Sequence, residues 1–206
     1  MKYFVGVFFE DERVDRLFDL TRVVLQPDFA RKAHITLRGP YKHRKDINKS
    51  VLEKQMDPIL LSKPSTFFNE RQNTVFLRAE IAFISDFWRK PDYPDGTPHL
   101  TIYDGKDRSF AWQVLQVLRD FPWRFYVRPT KLRILSSKEP LETKYLKDFT
   151  NFNLALDEVS DRSYSMEAIR KMHTGQRIEI LRRVCRNLHT LHSNSDEAVD
   201  SQLSFL

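Results

Sequence analysis

The sequence predicts an α+β fold of two lobes related by pseudo-symmetry. Both halves of Met1–Leu156 arrange strand and helix segments around a histidine-bearing strand. The segments His34-Ile-Thr-Leu-Arg-Gly39 and His99-Leu-Thr-Ile-Tyr-Asp-Gly105 read as two copies of one element. A chain of 206 residues holds one domain with a good core plus an appendage. The expected division is a main domain over 1–157 and a C-terminal helical extension with a polar tail over 158–206.

Lys2–Phe9 is aromatic and β-branched, which favours a strand. Asp11–Leu25 carries Val14, Leu17, Phe18, Val24 and Leu25 at near-helical spacing behind an acidic start, and Pro27 ends it. Ala33–Leu37 is a second strand, stopped by Gly39-Pro40. Ser50–Leu61 reads as a helix with Val51, Leu52, Met56, Ile59 and Leu60 as its stripe. Thr66–Glu70 and Thr74–Phe83 read as a hairpin turning at Arg71-Gln72-Asn73. A loop rich in proline, aspartate and aromatics spans Ser85–Thr97, and His99–Tyr103 is the strand after it. Ser109–Arg119 is a helix with Ser109 as N-cap. Trp123–Val127 and Lys131–Leu135 alternate as strands, with Phe149–Leu156 as one more. Beyond Glu158, Met166, Ile169, Met172, Ile180, Val184, Leu188 and Leu191 mark amphipathic helices interrupted near Thr174-Gly175, before a polar end after His192.

Composition narrows the function classes. Hydrophobic residues make up 41% and charged residues 30% of the chain, ordinary for a soluble protein. The apolar runs are strand-sized, short of the roughly 20 residues a bilayer requires. The N-terminus passes from Val5–Phe9 directly into charge, as a first strand rather than a signal peptide. Cys185 is the only cysteine, so neither an intramolecular disulfide nor a cysteine-based zinc site is available, and the cytoplasm is the expected compartment. The net charge of +6 is modest. Its placement is informative: Arg31, Lys32, Arg38, Lys42, Arg44 and Lys45 surround the first histidine with no acid within Arg31–Lys45, as a phosphate-attracting cluster or a solvated basic loop does.

Alternate side chains of a strand share a face. His34 and Thr36 therefore point one way and Ile35 and Leu37 the other; His99 and Thr101 stand likewise against Leu100 and Ile102. Side by side, two such strands bring two imidazoles and two hydroxyls together. That set suits in-line displacement at phosphorus. One neutral histidine takes a proton from the nucleophile and one protonated histidine gives a proton to the leaving oxygen, both forms being accessible near an imidazole pKa of about 6.5. The hydroxyls hold the non-bridging oxygens. Neither a metal nor another cofactor is needed for this chemistry.

Arg38, Tyr41 and Tyr103 are further candidates for substrate contact: Arg38 and Tyr103 by alternation onto the histidine face, Tyr41 by its place just past the motif. Packing or a salt bridge is the competing account of each. Phe87, Trp88 and Tyr93 in the preceding loop are candidates for a lid or for pinning that loop to the core. His43, His173, His189 and His192 lack the motif, and a solvated helix face explains His189 and His192.

Ala33-His-Ile-Thr-Leu37 and Pro98-His-Leu-Thr-Ile102 resemble the paired H-x-T motifs of the 2H phosphoesterase superfamily, which includes bacterial 2′-5′ RNA ligase-like proteins and cyclic nucleotide phosphodiesterases. The resemblance spans roughly Met1–Leu156 and excludes the tail. It implies a bilobal domain, two pseudo-symmetric antiparallel-sheet lobes flanked by helices around a central cleft. It also implies hydrolysis or formation of bonds to a ribose 2′-oxygen, with His34 and His99 as the catalytic pair and Thr36 and Thr101 as phosphate-binding hydroxyls. Both motifs are complete, and the sequence does not say which histidine is the acid. The expected activity is metal-independent hydrolysis of 2′,3′-cyclic phosphates on nucleotides or RNA ends. Alternatives are cleavage or joining of 2′-5′ linkages, degradation of an oligonucleotide second messenger, or RNA binding without turnover. The expected partner is a nucleotide or RNA, not a membrane, and the stripe on the tail is compatible with a homodimer through the C-terminal helices.

Overall fold

A computed structural model describes residues 2–28, 32–47, 52–53, 55–70, 72–81, 97–136 and 166–190, with the backbone alone of 152–153, 163–164 and 191–203. The first strand is β1 (Tyr3–Val7), followed by α1 (Glu12–Leu25) and β2 (Ile35–Tyr41). Then come β3 (Ile59–Phe68), β4 (Asn73–Glu80), β5 (His99–Gly105), α2 (Arg108–Arg119), β6 (Arg124–Val127) and β7 (Arg133–Ser136). The two-residue strands β8 (Phe152–Asn153) and β9 (Ser163–Tyr164) pair with each other ahead of α3 (Met166–Lys171) and α4 (Thr174–Leu203).

Strands β1 to β7 form a single antiparallel sheet in the order β6-β3-β4-β5-β2-β1-β7. The fold is thus α+β as expected. The described residues show one seven-stranded sheet and four helices, with strands of both sequence halves hydrogen-bonded together, rather than two separate lobes. The two histidine strands, β2 and β5, lie side by side at its middle.

Helices α1 and α2 cover one face of the sheet. Asp11 caps α1 by accepting from the Arg13 and Val14 amides at 2.8 and 3.3 Å. The buried stripe Leu17, Phe18, Leu20, Val23 and Val24 joins Val5, Val7, Ile35, Leu77, Leu100 and Ile102 in one core. Each such side chain contributes about 1.5–3 kcal/mol by leaving water. The N-cap of α2 is Asp107, not Ser109: its carboxylate accepts from the Phe110 amide at 2.9 Å and complements the helix dipole.

The helix expected over Ser50–Leu61 is corrected at its end, where Ile59 opens β3. Pro58 disfavours helix in the residue before it, and Ile59 and Leu61 alternate into the core with β4 and β6 as partners on either side. Strand β2 also runs through Gly39-Pro40 instead of stopping there. Gly39 has φ 136°, a conformation only glycine adopts readily, and a Cβ on it would lie 2.9 Å from the Tyr3 carbonyl oxygen.

The C-terminal extension joins the main core. Ile169, Ile178, Leu181, Val184, Cys185 and Leu188 are buried there, with α4 packed across α1 and α2. Arg177 pins it by donating to the carbonyls of Val24 (2.8 Å), Leu25 (3.4 Å), Ile169 (3.2 Å), Arg170 (3.3 Å) and Met172 (3.1 Å). These include carbonyls at the end of α1 that the helix leaves without intrahelical partners. The apolar stripe is therefore occupied within the chain as far as Leu188. His189 is half-buried among Phe121, Trp123 and Phe125, stacking on Phe121 at 5.5 Å, so a solvated face does not describe it. Burial pushes the Cys185 thiol up to about 12. No helix of the described residues is long and apolar enough to cross a membrane.

Candidate functional site

Strands β2 and β5 pair antiparallel with Ile35 opposite Leu100 and Thr36 opposite His99. Residues directly opposite each other share a face. His99 and Thr36 are therefore neighbours, and extending the register by one residue sets His34 opposite Thr101. Each histidine stands beside the threonine of the other motif. All four are half-buried, while Ile35, Leu37, Leu100 and Ile102 fill the core beneath. The four polar side chains thus occupy the sheet face turned away from α1 and α2.

The two imidazoles are held in the same way. His34 Nδ1 lies 2.9 Å from the Lys32 carbonyl oxygen, and His99 Nδ1 lies 2.7 Å from that of Thr97. A carbonyl only accepts, so in each ring Nδ1 carries the donated proton. His99 packs against Phe76 at 5.0 Å and Phe67 at 5.6 Å, and His34 meets Phe8 edge-on at 6.2 Å. Burial lowers the His99 pKa, against the Thr97 hydrogen bond and the charge of Asp104, which raise it. The neutral ring is therefore favoured.

Two carboxylates on α1 support the first motif. Asp19, 2% exposed, accepts from the Ala33 amide at 2.5 Å. Lys32 Nζ bonds the Asp15 carboxylate and lies 3.6 Å from Asp19. This anchors the two residues before His34, including the carbonyl that orients its ring. Burial pushes Asp19 up to about 6 and Asp15 also upward. The Lys32 charge, assigned in sequence to an acid-free cluster, is engaged by acids one helix away. Asp15 and Asp19, four apart on the apolar side of α1, were the available sequence signal.

The remaining candidates fall elsewhere. Both histidine strands carry a register shift just after their threonine: Gly6 faces Thr36 while Val5 faces Arg38, and Phe76 faces Thr101 while Val75 faces Tyr103. A bulge adds one residue and breaks alternation. The register consequently sets Arg38 opposite the core residue Val5, rather than in the row of His34 and Thr36. Tyr103 turns to the helix side, 4% exposed, with its ring 5.2 Å from Phe110. Tyr41 is a core residue at 8% exposure. Asp104 shifts onto the histidine side, accepting from Thr74 at 2.8 Å and from Gln72. Phe87, Trp88 and Tyr93 lie outside the described residues. His43 starts the short turn Arg44–Asp46 and His173 links α3 to α4, both apart from the pair.

A cavity of about 540 Å³ beyond the end of β5, lined by Gln26, Tyr103, Asp104 and Arg177, contains neither histidine. Among the described residues, no group of three His, Cys, Asp or Glu side chains could hold a metal ion. Comparison of the chain with protein-family models and with curated proteins returns no match.

Proposed function

We propose that this chain is a 2H-type phosphodiesterase acting on a phosphate bonded to a ribose 2′-oxygen, most simply a 2′,3′-cyclic phosphate on a nucleotide or RNA end. The pairing of Thr36 with His99 across β2 and β5 carries the reading, because it gathers two imidazoles and two hydroxyls on one face. The identical orientation of both rings through Nδ1 supports it. So does the repeated H-x-T sequence, with its matching bulge in each strand. The bilobal reading of the fold then becomes two halves of one sheet meeting at the β2–β5 seam.

The chemistry assigns roles. His99, kept neutral by burial, takes the proton from the attacking water through Nε2. His34 gives a proton to the departing ribose oxygen, so one proton enters the protein and one leaves it. Thr36 and Thr101 donate to the non-bridging oxygens as charge builds on them. No step requires a metal ion. The buried lone Cys185 suits a reducing compartment such as the cytoplasm.

The test is turnover of nucleoside 2′,3′-cyclic phosphates, cyclic-phosphate RNA ends and 2′-5′-linked dinucleotides in EDTA, with product analysis. Activity on a 2′-linked substrate is expected to persist in the chelator and to fall about 10²–10⁴-fold in His34→Ala and in His99→Ala. Products distinguish ring opening from cleavage or joining of 2′-5′ linkages. Loss of all activity in EDTA, or full activity in both variants, refutes the mechanism. Binding of RNA without turnover of any substrate would leave only a binding module.

A further inference from the structure

The register of the seven strands places more than the four motif residues on the histidine face. From one edge to the other, Arg124 faces Ser62, Ser62 faces Arg78, Arg78 faces His99, His99 faces Thr36, Thr36 faces Gly6, and Gly6 faces Arg133. Directly paired residues share a side, so this is one transverse row with arginines on both flanks of the histidine–threonine pair. Arg78, Arg124 and Arg133 are all exposed. Among the described residues none of the three forms an ion pair, and Arg133 lies 5.3 Å over the Phe8 ring that also meets His34. With strands about 4.8 Å apart, Arg78 is one strand from His99, Arg133 two strands from Thr36, and Arg124 three from His99.

Aromatics accompany the arginines. Phe67 faces Thr74, on the same side as Phe76, and is 44% exposed while stacked on Phe76 at 4.3 Å beside His99. Tyr126, two residues from Arg124 on β6, is 62% exposed. The acids the register brings to this face are Glu80 and Asp104, and Asp104 is bound by Thr74 and Gln72. Unpaired guanidinium groups interleaved with exposed rings suit a flexible polyanion with aromatic bases. A mononucleotide needs only the central pair.

We propose that this row is a track for single-stranded RNA, in which Arg78 and Arg133 take the phosphates flanking the reacting one and Phe67 stacks a base beside His99. This inference rests on the phosphodiesterase reading and names its substrate class: an oligonucleotide rather than a free nucleotide. Arg78 and Arg133 then set chain-length preference without taking part in the chemistry.

The experiment compares a nucleoside 2′,3′-cyclic phosphate with a short oligoribonucleotide carrying the same end, and measures anisotropy of the labelled oligomer across a salt series. The native chain should favour the oligomer. Arg78→Ala with Arg133→Ala should lower its kcat/KM at least about tenfold, leave the mononucleotide within about threefold, and flatten the salt slope by about one per arginine. Phe67→Ala should weaken oligomer binding about tenfold. Equal losses on both substrates, or no loss on either, overturn the track even if hydrolysis is real. If no substrate turns over, arginine- and salt-dependent RNA binding still supports the track while the phosphodiesterase reading falls; the absence of such binding removes both.

Discussion

Replacing Asp19 by asparagine removes a buried charge while keeping an acceptor for the Ala33 amide. In the native chain, burial pushes this carboxyl from 3.8 up to about 6, despite the Ala33 hydrogen bond and the nearby Lys32 charge. A rise of that size corresponds to about 3 kcal/mol of preference for the protonated form in the fold. The folded chain therefore holds this proton more tightly than the unfolded chain. The stabilising contribution is complete below about pH 3.8 and is lost as the pH rises through about 6. Urea unfolding of the native chain and Asp19→Asn at several pH values reads the effect of Asp19 with its coupled neighbours Asp15 and Lys32, because titrating groups remote from it cancel in the difference. The native chain's stability relative to Asp19→Asn should fall by about 3 kcal/mol between the two limits. Asp19→Ala adds a separate loss of about 1–3 kcal/mol at every pH by orphaning the Ala33 amide, and lowers turnover because that segment orients His34. A stability difference that is flat with pH would refute the electrostatic account of this site.

Docking of the C-terminal extension is equally open to measurement. Leu181→Ala, at a residue 1% exposed, should cost about 2–5 kcal/mol by cavity formation, and Arg177→Ala roughly 1.5–3 kcal/mol through its lost carbonyl bonds, both read by denaturant midpoints. Unchanged midpoints would show that the extension is not part of the cooperative core. Thr36→Val and Thr101→Val keep shape but lose the hydroxyl. Each should lower kcat about 10²-fold with stability nearly unchanged, and a pure KM effect would assign the threonines to ground-state binding instead.

Much of this architecture was legible because local pattern and burial agree. The stripe of Leu17, Phe18 and Val24 and the alternation of Ile35 and Leu37 match the faces they bury. The His34/Thr36 and His99/Thr101 pairs were readable by the same alternation. Where the reading failed, a non-local cause prevailed. The bulges after Thr36 and Thr101 depend on how neighbouring strands pair, so alternation misplaced Arg38 and Tyr103. Pro58 and two flanking strands overrode a helical spacing near Ile59. The Asp15–Asp19–Lys32 group joins α1 to the residues before β2, a contact no sequence window contains. The transverse arginine row is invisible to any linear reading, since its members come from separate strands brought into register by the sheet.

The central claim is that His34 and His99 act together on one phosphate, and the pH dependence of kcat/KM in EDTA tests it most directly. A bell-shaped profile is expected. Its acidic limb should fall below the ordinary imidazole value of about 6.5, because burial lowers the pKa of His99, which must be neutral to accept a proton. The alkaline limb should report loss of the proton that His34 donates. Combining His34→Ala with His99→Ala should be little worse than either alone, as for residues that act as a unit. A profile without both limbs, or a double variant whose loss is the product of the two single losses, would contradict the paired-histidine account.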